Sequence, residues 1–266
     1  MLATPDRDCL EPALRVKLCG IRSRADLALA LSAGADAVGF IVGARHRTED
    51  ELSPSAAATL VAALPPMVSS VMVTHLQQAA PILALAQQVR ATCLQLQDAI
   101  ALEELNAIRS ALPGVKLIKA VHVSGDREER SHHETLTQAM ALEPLVDALL
   151  LDSRTADRIG GTGLPHNWSI SRRIVEQIGK PVILAGGLRP ENLQAALDAV
   201  QPAAVDVNSG IDDAAGAKDP ARAAAFVQIS RCWSLERIQG RSGTAAASRR
   251  RGSATPSLPI GNVPEP

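Results

Sequence analysis

Short runs of hydrophobic residues alternate along the chain with longer stretches in which hydrophobic residues recur at helical spacing. The short runs have the length and the branched-chain content of buried β-strands. They predict eight strands, at Val16–Leu18, Ala37–Val42, Ser70–Thr74, Cys93–Gln97, Lys116–Val121, Ala148–Asp152, Val182–Ala185 and Ala204–Asn208. The longer stretches predict helices between them, at Ala25–Ala33, Ala56–Leu64, Ala79–Val89, Leu102–Leu112 and Leu193–Val200.

This alternation of strands and helices determines the predicted architecture. A strand, a helix and a second strand in succession form a right-handed unit with parallel strands. Eight such units close most simply into a (β/α)8 barrel, a fold that suits a chain of 266 residues. An open, doubly wound sheet is the alternative, and the absence of a GxGxxG motif after the first strand disfavours its dinucleotide-binding form.

The two ends of the chain lack the periodic hydrophobic pattern. Residues 1–14 are predicted to be an N-terminal extension, residues 15–235 the barrel, and residues 236–266 a tail rich in Gly, Ser, Arg and Pro. A segment of that composition has no hydrophobic face to bury, so we expect the tail to be disordered. The basic run Arg249–Arg251 is typical of a solvated chain end, and contact with an anion is the alternative interpretation.

Composition narrows the classes of partner. Hydrophobic residues make up 46% of the chain and aromatic residues only 2%, with no Tyr. Proteins that bind single-stranded nucleic acid stack bases on aromatic side chains, so a nucleic-acid partner is not expected. No run of about 18 apolar residues is present, and the N-terminal sequence is too polar for a signal peptide. We therefore expect a cytoplasmic protein without a membrane partner.

The four cysteines, at positions 9, 19, 93 and 232, form no CxxC pair and no Cys/His ligand set. Their spacing predicts neither a metal site nor a disulfide framework. This cysteine usage is typical of a protein from a reducing compartment.

Glycine and other small residues follow the seventh and eighth predicted strands. In a (β/α)8 barrel the loops after these strands commonly hold a phosphate, because backbone N–H groups can approach an anion where no side chain intervenes. We therefore expect a phosphorylated substrate, and tight strand-to-helix turns are the alternative explanation. A third glycine-rich segment, residues 160–163, is expected to close over the same region. The candidate phosphate-binding residues are Gly186, Gly187, Asn208, Ser209 and Gly210.

Two ionisable side chains are predicted to lie at the same rim. Cys19 ends the first predicted strand and Asp152 the sixth, so we expect them to face each other across the barrel mouth. A free cysteine is most often a small buried hydrophobic residue, and a carboxylate at a strand end often caps a helix. As a pair, however, a thiolate base and a carboxylic acid suit an isomerisation by proton transfer that needs no cofactor.

With these residues in view, the sequence resembles the phosphoribosylanthranilate isomerase family, barrel enzymes of tryptophan biosynthesis. The matching segments keep the family's order and extend over roughly residues 15–230. They are Val16–Ile21, Gly34–Phe40, Leu151–Asp152 with Gly160–Gly163, Leu184–Leu188 with Pro190–Asn192, and Val205–Gly210 with Lys218–Asp219.

The resemblance implies a reaction and roles for individual residues. The reaction would be the Amadori rearrangement of N-(5-phosphoribosyl)anthranilate to 1-(2-carboxyphenylamino)-1-deoxyribulose 5-phosphate, without a cofactor. Asp152 would be the general acid that protonates the ribose ring oxygen, and Cys19 the general base that removes the proton from C2. Asp206 would line the pocket near the aminosugar. The phosphate would rest on the backbone of Gly186, Gly187, Asn208, Ser209 and Gly210.

Three segments depart from the family pattern. The loop after the second strand lacks the family's Ser-Pro-Arg, so we expect Arg47 to pair with the substrate carboxylate, with Arg45 as the alternative. The acidic run Glu49–Glu51 in this loop is expected to be solvated. Gln97 ends the fourth strand where His is usual, and we expect it to contact substrate. His75, after the third strand, is either a satisfied polar residue or a partial replacement for that His.

Two other functions stay open at the level of sequence. One is a paralogous barrel isomerase that acts on a different phosphosugar, which the altered loop after the second strand would permit. The other is a protein that binds a phosphorylated metabolite without converting it, and the presence of both Cys19 and Asp152 disfavours it because binding alone requires neither. For the oligomeric state, the sequence leaves both a monomer and a homodimer open.

Overall fold

The computed structural model describes residues 13–45, 48–124, 129–155, 158–159 and 167–251. Within these residues, eight parallel strands form one sheet. They are β1 (Arg15–Leu18), β2 (Ala37–Ile41), β3 (Ser69–Thr74), β4 (Cys93–Leu96), β5 (Lys116–Ser124), β6 (Ala148–Thr155), β7 (Val182–Leu184) and β8 (Ala204–Val207).

A helix follows each strand of this sheet. They are α1 (Arg24–Ala33), α2 (Pro54–Ala62), α3 (Ala79–Val89), α4 (Leu102–Ala111), α5 (Glu129–Leu142), α6 (Trp168–Gln177), α7 (Pro190–Val200) and α8 (Pro220–Arg251). A two-residue strand, Arg158–Ile159, pairs antiparallel with the end of β6. None of the helices in the described ranges combines the length and the apolar content needed to cross a membrane.

The sheet closes on itself. Strand β1 pairs with β2 on one side and with β8 on the other, where Lys17 lies opposite Asp206. The circle is completed between β5 and β6, whose pairing sets His122 opposite Asp152. The predicted (β/α)8 barrel is therefore confirmed, and the open doubly wound sheet is excluded.

Local sequence explains where several elements begin. The side chain of Ser53 accepts a hydrogen bond from the N–H of Ala56, and Pro54 occupies the first turn of α2, where a missing N–H costs nothing. Helix α1 begins in the same way at Ser23 and ends at Gly34, whose φ of 87° is readily adopted only by glycine. The alternating pattern thus locates the elements, and these cap residues set their bounds.

The structure extends several predicted elements, including β5, β6 and α7, and it contains helices that the sequence pattern does not predict, including α8. Strand β6 continues past Asp152 to Thr155, because its pairing with β5 runs as far as Ser124 opposite Arg154. Helix α8 continues to Arg251 and so passes residue 236, where the sequence places the start of the tail. The last described buried side chains of α8 are Trp233 and Ser234. The division of the chain at residues 14 and 235 stays a prediction.

Hydrophobic side chains pack in two regions. The strand–helix layer, between the barrel wall and the helices, contains Leu149 and Leu151 of β6. The barrel interior contains Leu150 of the same strand, together with Ile118 and Ile183. Successive residues of a strand point to opposite faces, so each strand contributes to both regions. Inward-pointing residues near the carboxyl ends of the strands consequently meet at the centre of one rim.

Candidate active site

Cys19 and Asp152 both lie at the carboxyl-terminal rim of the barrel. Cys19 directly follows β1, and its N–H donates to the carbonyl of Val207 in β8 at 2.8 Å. Asp152 lies within β6, two residues beyond the inward-pointing Leu150. The side chains are 6% and 8% exposed, respectively. The structure therefore places the proposed base and acid in the same enclosed space.

The thiol of Cys19 occupies a tightly fitted position. A Cβ on Gly39 of β2 would lie 2.5 Å from the sulfur, so this glycine is required for space. The sulfur accepts a hydrogen bond from Lys17 Nζ at 3.3 Å. Burial raises the pKa of the thiol above its usual value, while the Lys17 ammonium opposes the rise and the Asp206 carboxylate adds to it.

Asp152 is held by two donors. Its Oδ1 accepts from the N–H of Ser153 at 2.8 Å, and its Oδ2 accepts from Gln97 Nε2 at 2.7 Å. Burial, reinforced by the Asp206 carboxylate, raises the pKa of Asp152 to about 6 against the lowering effect of these hydrogen bonds. A carboxyl group with this pKa keeps its proton in part of the molecules near neutral pH, as a general acid must.

A line of hydrogen bonds joins the two candidate catalytic residues. Lys17 Nζ donates to Gln95 Oε1 at 2.9 Å, Gln95 Nε2 donates to Gln97 Oε1 at 2.9 Å, and Gln97 donates to Asp152. We call Lys17, Gln95 and Gln97 the polar chain. The contact of Gln97 with substrate stays a prediction, and in this structure its amide is engaged by Gln95 and Asp152.

Sequence reasoning missed Lys17 and Gln95. The signal that would have found them is the two-residue period of a strand. Lys17 lies two residues before Cys19, and Gln95 two residues before Gln97, so each shares the inward face with a residue that was singled out. Polar residues at consecutive inward positions of a barrel strand indicate a polar interior.

Asp206 lies on the inward face of β8. Its Oδ2 accepts from Lys17 Nζ at 2.7 Å, in an ion pair whose two side chains are both buried. The other oxygen, Oδ1, is buried and has no hydrogen-bond partner among the described residues. A buried carboxylate oxygen without a donor is costly, so this atom is suited to accept a hydrogen bond from a bound molecule.

The glycines after β7 and β8 pack too closely to accept side chains. A Cβ on Gly186 would lie 2.4 Å from the N of Ser153, and a Cβ on Gly210 would lie 1.8 Å from the carbonyl oxygen of Leu188. Gly186 and Gly187 also have positive φ angles of 78° and 65°. The two loops predicted to hold phosphate therefore touch each other through bare backbone. The glycine-rich segment 160–163 lies outside the described residues.

Asn208 and Ser209 begin the loop after β8, and contacts that the sequence does not predict hold Asn208 in place. Lys218 Nζ donates to its backbone oxygen at 3.1 Å and to its Oδ1 at 2.7 Å. Asn208 Nδ2 donates to Asp50 Oδ2 at 2.9 Å, and Arg22 Nε lies 3.6 Å from Asp50 Oδ1. Asp50 is therefore a tether between the loops after β2 and β8, and the acidic run is not merely solvated.

The loop after β2 contains the candidates for a carboxylate partner. Arg47 lies outside the described residues, so its expected role stays a prediction. Arg45 is half-exposed, and its Nη1 lies 3.5 Å from Oδ2 of the buried Asp98. His75 Nδ1 lies 3.0 Å from the other oxygen of Asp98. Asp98 thus holds both Arg45 and His75 beside the rim. Within the described ranges, His, Cys, Asp and Glu side chains form no group of three or more suited to a metal ion.

Comparison with protein-family models relates this site to a known group. The model described as N-(5'phosphoribosyl)anthranilate (PRA) isomerase matches residues 16–229 of the chain. Among curated relatives, N-(5'-phosphoribosyl)anthranilate isomerase 2 of Methanosarcina mazei is 38% identical over 216 residues, which are 80% of this chain and 92% of the relative. The match to the family model begins one residue inside β1 and includes the other seven strands in full.

Solved structures agree with this comparison. The crystal structure of phosphoribosyl anthranilate isomerase from Thermotoga maritima matches with a TM-score of 0.70 at 32% identity, over 82% of this chain and 98% of that chain. A crystal structure of phosphoribosyl anthranilate isomerase in complex with reduced 1-(o-carboxyphenylamino)-1-deoxyribulose 5-phosphate matches with a TM-score of 0.67 at 30% identity, over the same shares of the two chains. Fold and sequence thus point to one family.

Proposed function

Because the chain belongs to the N-(5'-phosphoribosyl)anthranilate isomerase family, we propose that it catalyses the Amadori rearrangement of N-(5-phosphoribosyl)anthranilate in tryptophan biosynthesis. The product is 1-(2-carboxyphenylamino)-1-deoxyribulose 5-phosphate. The single observation that best supports this reaction is the pair Cys19 and Asp152, buried at one rim and joined by hydrogen bonds through the barrel interior.

In the first step, Asp152 donates its proton to the ribose ring oxygen. The bond between C1 and that oxygen breaks, and the lone pair of the anilino nitrogen forms a double bond to C1, which gives a Schiff base. The pKa of about 6 supports this role, because part of the population holds the required proton at neutral pH. The Gln97 amide orients the carboxyl group from one side and the Ser153 N–H from the other.

In the second step, the thiolate of Cys19 removes the proton from C2. The electrons of the broken C–H bond form a double bond between C1 and C2, and the nitrogen becomes a neutral amine. The enol at C2 then becomes a ketone: its hydroxyl proton leaves to solvent and C1 gains a proton from solvent. Cys19 loses its proton and Asp152 regains one by exchange with solvent, so the isomerisation consumes no net proton. The Lys17 hydrogen bond supports the thiolate form of Cys19 in an otherwise desolvated position.

Three further groups are assigned to substrate binding. The free Oδ1 of Asp206 would accept a hydrogen bond from a hydroxyl or amine of the aminosugar. Backbone atoms at Gly186, Gly187, Asn208, Ser209 and Gly210 would hold the phosphate. Arg47, with Arg45 as the alternative, would pair with the anthranilate carboxylate as a bidentate fork.

A turnover assay tests the proposed function directly. Phosphoribosylanthranilate is generated in place, and its conversion is followed by the loss of anthranilate-type fluorescence. We expect turnover by the purified chain and loss of most of it in Asp152→Asn. Absence of turnover by folded protein would favour the paralogous isomerase. Tight binding of the phosphosugar without conversion would favour the metabolite-binding protein.

The phosphate site has its own test. Inorganic phosphate should inhibit competitively, and Gly210→Ala should raise KM strongly because the new Cβ collides with the Leu188 carbonyl. Gly114→Ala is the matched control, since a Cβ at Gly114 meets nothing within 4 Å. An unchanged KM in a folded Gly210→Ala protein, together with no inhibition by phosphate, would contradict this placement.

Location and assembly complete the proposal. We propose a cytoplasmic enzyme that acts on a small phosphosugar as a monomer or a homodimer, without a cofactor, a nucleic acid or a membrane partner. Sedimentation of the purified chain distinguishes the two assembly states.

A further inference from the structure

The proposed reaction uses only the hydrogen bond from Lys17 to Cys19, yet Lys17 has further contacts at the centre of the barrel interior. The residue is 4% exposed, and its ammonium group has three N–H donors. All three are engaged: one by Cys19 Sγ at 3.3 Å, one by Gln95 Oε1 at 2.9 Å and one by Asp206 Oδ2 at 2.7 Å. The three partners lie in β4, in β8 and directly after β1, so this buried lysine, with every donor satisfied, is held in one orientation.

The neighbouring strand is shaped to accept this arrangement. A Cβ on Gly39 of β2 would lie 2.5 Å from Cys19 Sγ and 2.9 Å from Lys17 Cε. Gly39 therefore leaves room for the lysine stem and the sulfur at once. The contact between ammonium and thiol thus depends on a residue of β2 that itself makes no polar contact with either group.

Lys17 also sets the direction of the polar chain. An ammonium group only donates, so Gln95 must turn its oxygen toward Lys17 and its N–H toward Gln97. Gln97 in turn must present its N–H to Asp152. If either amide were turned over, its NH2 group would face another N–H donor or its oxygen would face another oxygen. The charge on Lys17 therefore fixes which amide atom contacts the carboxyl group of Asp152.

The geometry points to Lys17 as a positioning residue that favours the thiolate of Cys19 by direct donation and, through Gln95 and Gln97, holds a donor on Asp152. This inference rests on the proposed roles of Cys19 as base and Asp152 as acid. Lys17 would thus couple the two catalytic residues from beneath the substrate, without contacting the substrate itself.

The competing explanation is that Lys17 only neutralises Asp206. The charged groups that act on the Cys19 thiol are Lys17 on β1, Asp206 on β8 and Lys218 after β8, with Asp152 on β6 at the end of the polar chain. Burial raises the pKa of Cys19 most, Lys17 and Lys218 lower it, and Asp206 raises it. Lys17 lowers the pKa of the thiol and Asp206 raises it. Removing the two charges one at a time and then together therefore distinguishes the two explanations.

The test is an alkaline titration of Cys19 by thiolate absorbance near 240 nm. The chain contains no Tyr, so no phenolate absorbs in the same range. Each protein is measured against its own Cys19→Ser form, which cancels the other cysteines. The set comprises the parent, Lys17→Met, Asp206→Asn and the double variant. If Lys17→Met fails to fold because Asp206 is left unpaired, the double variant, which removes both charges, carries the test.

We expect the midpoint to fall in Asp206→Asn and to rise by about 1 to 3 units in Lys17→Met. In the double variant it should still exceed the parent value, because the thiol has lost both a cation and a direct donor. A midpoint pushed beyond the pH at which the protein unfolds counts as a rise. A double variant that titrates at or below the parent value would show that Lys17 acts only as a counter-ion, and would overturn the inference.

Kinetics supply a second readout. Asp206→Asn is the reference for the double variant, because both lack the Asp206 carboxylate that is proposed to contact substrate. Relative to Asp206→Asn, the kcat/KM of the double variant at neutral pH should fall about tenfold for each unit by which its midpoint is higher, because the thiolate fraction falls by that factor. Lys119→Met, a buried lysine of β5 outside the site, is the matched control and should leave both midpoint and rate unchanged. The titration needs no substrate, so it stands even if the chain does not convert phosphoribosylanthranilate.

Discussion

The barrel interior and the strand–helix layer each bury a lysine, and the pKa values of the two lysines are shifted in opposite directions. In the interior, Lys17 has three side-chain partners, and although burial alone would lower its pKa, the ion pair with Asp206 and the contact with Cys19 hold it above the usual value. In β5, Lys119 alternates with inward-pointing Ile118 and Ala120 and donates to the carbonyl of Ala120. Burial lowers its pKa to about 8, against an opposing effect of Asp98.

This difference shows what each region is built to do. In the interior, charged and amide groups occupy positions where hydrophobic side chains would avoid the free-energy cost of desolvation. These polar groups form one connected set of hydrogen bonds. In the strand–helix layer, hydrophobic contacts dominate and a lysine is tolerated with a single carbonyl partner. Substitutions in the interior should therefore change the rate, and substitutions in the layer should change the stability.

The largest effect should come from Cys19→Ser. The hydroxyl is a far weaker base than a thiolate, so kcat should fall by about two to four orders of magnitude. The free energy of unfolding should change by less than about 1 kcal/mol, because the two side chains are similar in size. Stopped assays and urea unfolding measure the two quantities. Cys232→Ser, a change of an exposed cysteine of α8, is the control, and a near-normal rate in Cys19→Ser would remove Cys19 from the mechanism.

Leu105→Ala should show the reverse behaviour in the strand–helix layer. Leu105 of α4 is fully buried in that layer, and its truncation leaves a cavity against the barrel wall. We expect a loss of about 2 to 5 kcal/mol in the free energy of unfolding. The kcat of the folded fraction should stay within about twofold. A large loss of kcat without loss of stability would contradict the separation between the two regions.

Asp152→Asn should combine a loss of activity with a gain of stability. The pKa of Asp152 is about 6 in the folded chain and lower in the unfolded chain, so the ionised carboxylate destabilises the fold above about pH 6. This cost decreases as the pH falls below about 6, and it is gone once the pH is below the pKa of the unfolded chain. The variant lacks this cost, but its NH2 group faces one of the two donors, Gln97 or Ser153, so at about pH 8 the net gain in stability should be smaller than about 3 kcal/mol. Thermal or urea unfolding at several pH values checks this, and a gain that persists below about pH 4 would have another cause.

Much of the fold follows from periodic patterns in the sequence. The predicted strand Lys116–Val121 and the predicted helix Ala79–Val89 begin where the structure begins them. The sequence pattern does not predict α5, α6 or α8. In α6 the described buried residues are Ile170, Ser171 and Ile174. Ile170 and Ile174 do recur at helical spacing, so α6 has a periodic signal, but its low apolar content makes that signal easy to overlook.

The sequence predicts only those parts of the site that depend on residues close together in the chain. Cys19 and the glycines after β7 and β8 stand at strand ends, and Lys17 is available from the two-residue period of β1. The link between Asp50 and Asn208 joins residues 158 positions apart, and the hydrogen bond from Lys17 to Gln95 joins residues 78 apart. Contacts of that separation depend on how the barrel closes, and no local pattern encodes them.

The smallest expected effect on the rate concerns the two arginines in the rim loop after β2. Arg45 is half-exposed and already faces Asp98, so Arg45→Lys should retain the charge and be nearly silent. If Arg47 pairs the anthranilate carboxylate, Arg47→Lys should cost about 1.5 to 3 kcal/mol, since a lysine cannot reproduce the bidentate fork.

Such a loss is about tenfold or more in kcat/KM, which steady-state assays of the two variants resolve. Sensitivity at Arg45 instead of Arg47 would mean that Arg45 leaves Asp98 for the substrate, and the proposed reaction would stand. If both variants were silent while Cys19 and Asp152 remained essential, the substrate would carry no carboxylate at this place. The paralogous isomerase would then be the better account, because its reaction needs the same acid and base in the barrel interior but not the same group at the rim.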